Sequence, residues 1–80
     1  MRLDKFLKVS RLIKRRTAAK EASDSQMISV NGKIAKPSTN VEAGDIITIN
    51  YPAKPLKARV LSVQNSAGKE AAKSMTEIIE

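Results

Sequence analysis

Met27-Ile28-Ser29-Val30-Asn31-Gly32-Lys33-Ile34-Ala35 is the stretch on which the fold turns. Ile28, Val30 and Ile34 alternate with polar or small neighbours, the period of a strand with one buried face. Asn31-Gly32 sits at the centre of the run. Both residues accept positive φ, so the stretch predicts a β-hairpin closed by a two-residue turn. Upstream of it the apolar residues recur with a helical period, and downstream, as far as Val63, the chain is rich in β-formers. The expectation is an α+β architecture in which two N-terminal helices pack on a small, mainly antiparallel sheet.

Upstream, Leu3, Phe6 and Leu7 fall at i, i+3 and i+4 and give residues 2–9 one apolar helical stripe. Asp4 in the first turn suits the positive end of that helix, while Arg2, Lys5 and Lys8 fall off the stripe. Ser10 and Arg11 read as a break. A second helix is predicted from Lys14 or Arg15 to about Asp24, with Ala18, Ala19 and Ala22 allowing close approach to the first. Arg15 and Arg16 then occupy its first turn, where the helix dipole disfavours cations by roughly a few tenths of a kcal/mol each. A phosphate bound there would reverse that penalty.

Downstream, Pro37 ends the second strand, and residues 38–45 form a polar connection closing on Gly44-Asp45. Ile47, Ile49 and Tyr51 share one face of the next strand, with Ile46 and Thr48 on the other. Pro52 and Pro55 interrupt it, and Lys57 to Val63 resumes as an edge strand. Residues 64–69 are a polar joint. Ala71, Ala72, Met75, Ile78 and Ile79 then follow helical spacing and predict a short amphipathic helix, a docking stripe. The expected order is α-α-β-β-β-β-α, divided into a domain over residues 1–63 and a linker plus helix over 64–80.

Charge is distributed with equal clarity. The chain carries +7 at pH 7 over 80 residues. Arg2, Lys5, Lys8, Arg11, Lys14, Arg15, Arg16 and Lys20 face only Asp4 in the first twenty residues, so the whole net charge lies there and the remainder is neutral. A cationic helical edge on a neutral body suits a polyanion, and nucleic acid is the commonest. The chain has no Cys and no His, so thiolate and Ser–His nucleophiles and the usual zinc sites are excluded. A non-catalytic protein with no metal and no cofactor is expected. No apolar run is long enough for a secretory signal or a membrane span, and Glu70, Glu77 and Glu80 disfavour docking on anionic lipid. Phe6 and Tyr51 are the only aromatic residues, too few to stack successive bases. Phosphates, sugars and RNA shape are therefore the expected points of contact, with Lys33 at the hairpin tip as an outlying cation.

Arg2-Leu3-Asp4, the basic start of the second helix ending in Arg16, Ala19 and Ala22, Val30-Asn31-Gly32, and Val41-Glu42-Ala43-Gly44-Asp45 together resemble the S4-type RNA-binding domain. The run Arg2 to Thr17 in so short a chain is closer still to the stand-alone RqcP family, related to a small heat-shock protein that binds free large ribosomal subunits. The resemblance implies binding to large subunits obstructed by peptidyl-tRNA. It also implies that P-site tRNA is held while a partner of the RqcH type adds alanine to the stalled chain. It implies rRNA and tRNA contacts at Arg2 and Arg16, supported by Lys5, Arg11, Lys14 and Arg15, in a monomeric cytoplasmic protein. Two positions depart from the pattern. Lys14 stands where many such domains have a Ser-like cap, and Ser25-Gln26 stands where relatives often end the helix with Gly. On the residues alone, Arg2 is as well suited to lying along Phe6 as to contacting RNA. A recycling factor, or an accessory domain for rRNA or tRNA, remains the alternative function.

Overall fold

The computed structural model describes residues 1–64 and 68–79. The first helix, α1, spans Leu3–Val9 and buries Leu3, Phe6 and Leu7 completely. Its opening N–H groups are occupied: Leu3 donates to the Thr39 carbonyl at 2.8 Å, Asp4 to the Pro37 carbonyl at 3.1 Å, and Lys5 to Asp4 Oδ1 at 2.7 Å. An antiparallel bridge between Arg2 and Asn40 fixes the same junction. The expected break follows, with Ser10 as C-cap and Arg11 in the left-handed region at φ 62°.

The second helix, α2, spans Arg16–Asp24 and packs on α1 through fully buried Ala19. Its end has a complete capping pattern without glycine. Gln26 N–H donates to the Ser23 carbonyl and Met27 N–H to the Ala22 carbonyl, with Gln26 held at φ 62°. The missing Gly therefore leaves the helix boundary where the sequence places it.

The hairpin forms as predicted from β1 (Ile28–Val30) and β2 (Lys33–Ile34), with Asn31 at φ 53° and Gly32 at φ 83°. Its register corrects one detail. A two-residue turn pairs Val30 with Lys33 and Ser29 with Ile34, so Ile34 shares the face of Ser29 and is 56% exposed. Ala35 takes the core position instead. The remaining strands are β3 (Ile46–Ile49), β4 (Leu56–Val60) and β5 (Thr76–Ile79), and the antiparallel order is β2-β1-β3-β4-β5. Ile28, Ile49 and Leu56 align across the sheet, as do Val30, Ile47 and Ala58. This face meets the helices in one core that also takes in Val41, Val60 and Met75.

Asn31 also ties the turn to the start of β3. Its Oδ1 accepts from Ile46 N–H at 2.9 Å, and its Nδ2 donates to Asp45 Oδ1 at 3.1 Å. Asp45 Oδ2 in turn accepts from Glu42 N–H at 2.9 Å. The Val-Asn-Gly and Gly-Asp segments are thus two halves of one clasp.

The C-terminal region differs from the sequence reading. Helix α3 covers only Lys69–Lys73, the chain turns at Ser74 and Met75, and Thr76–Ile79 joins the sheet as β5. Met75 is completely buried. With β5 outside it, β4 is an interior strand and not an edge. Tyr51, expected on the strand face of Ile47 and Ile49, lies past the end of β3 and is 42% exposed. Residues 65–67 of the polar joint expected over 64–69, and Glu80, lie outside the described residues.

Candidate nucleic-acid interface

Asp4 organises the cationic edge. Buried at the start of α1, it accepts from Arg2 Nε at 3.2 Å on Oδ1 and from Arg2 Nη2 at 3.3 Å on Oδ2. Packing of α2 on α1 brings Arg16 Nη2 to 3.8 Å from the same Oδ1. One carboxylate is therefore shared between two guanidinium groups, leaving net positive charge. The Asp4 side chain is 3% exposed and each arginine side chain 53%, so the anion is hidden while both cations face solvent. Planar forks held this way are pre-organised for phosphate, because little side-chain entropy remains to be lost on binding. In the sequence Asp4 stands out only as the lone acid of a basic segment, and its place between the two arginines comes from the packing of α2 on α1.

Beside the pair lies a cleft of about 330 Å³ lined by Arg2, Asp4, Arg16, Thr17 and Lys20. The N-terminus of α2 borders it. Arg15 supplies no side-chain cap, and no acid lies in the first turn. The first N–H bonded within the helix is that of Ala19, to the Arg15 carbonyl at 3.0 Å. The N–H groups of Arg16, Thr17 and Ala18 have no partner among the described residues. An anion placed there meets three free donors, the positive helix end and at least one guanidinium group.

The other cations expected at the site are spread around this centre. Lys14 and Arg15 are exposed immediately before α2, and Lys20 follows one turn after Arg16. Lys8 is exposed in the last turn of α1, Lys5 is half-buried on the same helix, and Arg11 is exposed at the break. Lys33 is exposed on β2 and does not line the Arg2–Arg16 cleft. Phe6 is fully buried and gives no stacking surface.

The S4 domain family model matches residues 1–47, the segment that holds both helices, the hairpin and the clasp. A Listeria monocytogenes protein named RQC P-site tRNA stabilizing factor is 51% identical over 80 residues, covering 100% of this chain and 87% of the relative. A Bacillus subtilis protein of the same name is 49% identical over 80 residues, covering 100% of this chain and 93% of the relative. Among solved structures, heat shock protein 15 of Vibrio cholerae superposes with a TM-score of 0.89 at 28% identity, over 99% of this chain and 81% of that one. Matches of this extent, on a chain with this fold and this arginine pair, leave one assignment: the protein belongs to the S4 domain family and, within it, to the family of RQC P-site tRNA stabilizing factors.

Proposed function

We propose that this protein binds the obstructed large ribosomal subunit across rRNA and peptidyl-tRNA. There it stabilises P-site tRNA while alanine is added to the stalled chain. The observation that carries this reading is the shared Asp4 carboxylate, which presents Arg2 and Arg16 together beside the free N-terminus of α2. Two backbones can be engaged at once by such an edge, one at the arginine pair and one along the outlying cations. The names of the relatives supply the P site and the tRNA. The mechanism is electrostatic and steric, with no bond made or broken. The protein acts as a monomer in the cytoplasm, where ribosomes work, alongside a tailing factor of the RqcH type.

Quantitative co-sedimentation with purified large subunits, with and without peptidyl-tRNA, tests the proposal. Tighter binding to the tRNA-bearing subunits is expected. Equal or better binding to empty subunits would move the assignment to recycling. Arg16→Ala should weaken association about ten-fold or more while the circular-dichroism spectrum stays folded, since an exposed cation contributes little to the core. Unchanged sedimentation of that variant would remove Arg16 from the interface.

A further inference from the structure

Arg2 and Lys20 have a second cleft on their other side. It measures about 470 Å³, and its opposite wall is built from the end of the hairpin and the loop behind it, with Ile34, Lys36 and Pro37. Because both clefts share Arg2 and Lys20, they form one path along α2. Arg16, Lys20 and Asp24 are spaced four residues apart and so lie on one helix face, about 6 Å per step along the axis. Arg16 lines the first cleft, Asp24 the second, and Lys20 both.

The chemistry changes along that path. In the first cleft the carboxylate, Asp4, is buried and taken up by Arg2 and Arg16, so the cleft offers cations and free N–H groups, which suits phosphate alone. The second adds an exposed carboxylate, Asp24, and an apolar wall of Ile34 and Pro37. Phosphate alone would leave Asp24 and the apolar wall without a partner. A ribonucleotide satisfies every group, because its phosphate suits Lys20 and Lys36 and its sugar or base face suits Ile34 and Pro37. A 2′-hydroxyl or base N–H can donate to Asp24. Turn register exposes Ile34, and Lys36 is exposed with only its backbone engaged among the described residues, its N–H by Thr39 Oγ1 at 2.9 Å and its carbonyl by Thr39 N–H at 3.0 Å. Neither side chain is needed by the core.

We infer that this second cleft is a ribonucleotide subsite, which continues the RNA strand held at Arg2 and Arg16 and adds Lys36 to its phosphate track. The inference rests on the RNA-binding reading above. Lys36 falls outside the basic N-terminal segment, and only the fold brings it beside Arg2.

The test is the double variant Ile34→Thr/Lys36→Gln, compared with the unaltered protein for binding to large subunits carrying peptidyl-tRNA. About ten-fold weaker binding is expected, with a salt dependence shallower by about one unit of log–log slope and an unchanged thermal midpoint. Equal affinities for the two proteins would overturn the subsite and leave the proposed function standing. Failure of the unaltered protein to bind large subunits would instead overturn the proposed function. The subsite is then decided, as it is if the variant does not fold, by titrating the unaltered protein with a short RNA hairpin and following the Ile34 methyl resonances. Their displacement supports the subsite, and their invariance overturns it.

Discussion

A carboxylate placed between two arginines does two things that oppose each other. Asp4 subtracts one charge from the edge that meets RNA, yet it fixes where Arg2 and Arg16 point. Asp4→Asn separates these effects, because the amide keeps an oxygen for Lys5 N–H but loses the charge. Stability should fall by about 1 kcal/mol, since the arginine partners are half exposed and solvent screens the pair. Affinity for bulk RNA should rise with the added net positive charge, while the preference for tRNA-bearing subunits over bulk RNA falls. Competition co-sedimentation measures both, and an unchanged preference would show that Asp4 does not orient the pair. At this scale the cations were legible from composition and order. Asp4 was visible only as the lone acid, because a sequence shows which charges are scarce and not which are buried. Lys36 was invisible for a related reason: it reaches Arg2 across the fold.

Helix α2 ends in a conformation its sequence does not favour. Gln26 at φ 62° is a non-glycine residue in the left-handed region, which costs on the order of 1 kcal/mol against a glycine there. Gln26→Gly should relieve that strain, less the extra freedom glycine gives the unfolded chain. A net gain of roughly 0.5–1 kcal/mol, or a few degrees in thermal midpoint, is expected. A lower midpoint would mean that the Gln26 side chain contributes more than its backbone loses. Both N-terminal helices, the hairpin and the Ile47–Ile49 face were legible because each couples a clear period to a clear stop. The last strand was not. Ile78 and Ile79 fit a helical stripe as well as they fit a strand, and only β4, already in place, offers the backbone partners that select the strand. Ile34 was misplaced by one register step, although the two-residue turn already dictates its pairing with Ser29.

As a whole the molecule measures 28 × 25 × 21 Å, and its charge is gathered at one end of the sequence. Neutralising about five phosphates should give a log–log salt slope near −4, a loss of roughly two orders of magnitude in affinity between about 50 and 200 mM salt. A nearly flat response in titrations across that range would sink an electrostatic mechanism. A domain this small carries little stability in reserve, so excursions to the unfolded state are part of its normal life. The Asn31 clasp gives those excursions a lasting trace. An asparagine followed by glycine is open to deamidation, since the next peptide nitrogen can attack its side-chain carbonyl without hindrance. In the folded protein both amide atoms of Asn31 are engaged, by Ile46 and Asp45, and cannot rotate freely into that attack. Unfolding releases them. The product carries a carboxylate where Asp45 is now met by a donor at 3.1 Å, so the repaired contact becomes a repulsion and refolding is weakened. Peptide mapping should find Asn31 converted far more slowly in native buffer than in denaturant at the same pH, and equal rates would show that the clasp gives no protection. With that protection, the chemical age of a molecule is counted from the time it has spent unfolded, not from its synthesis.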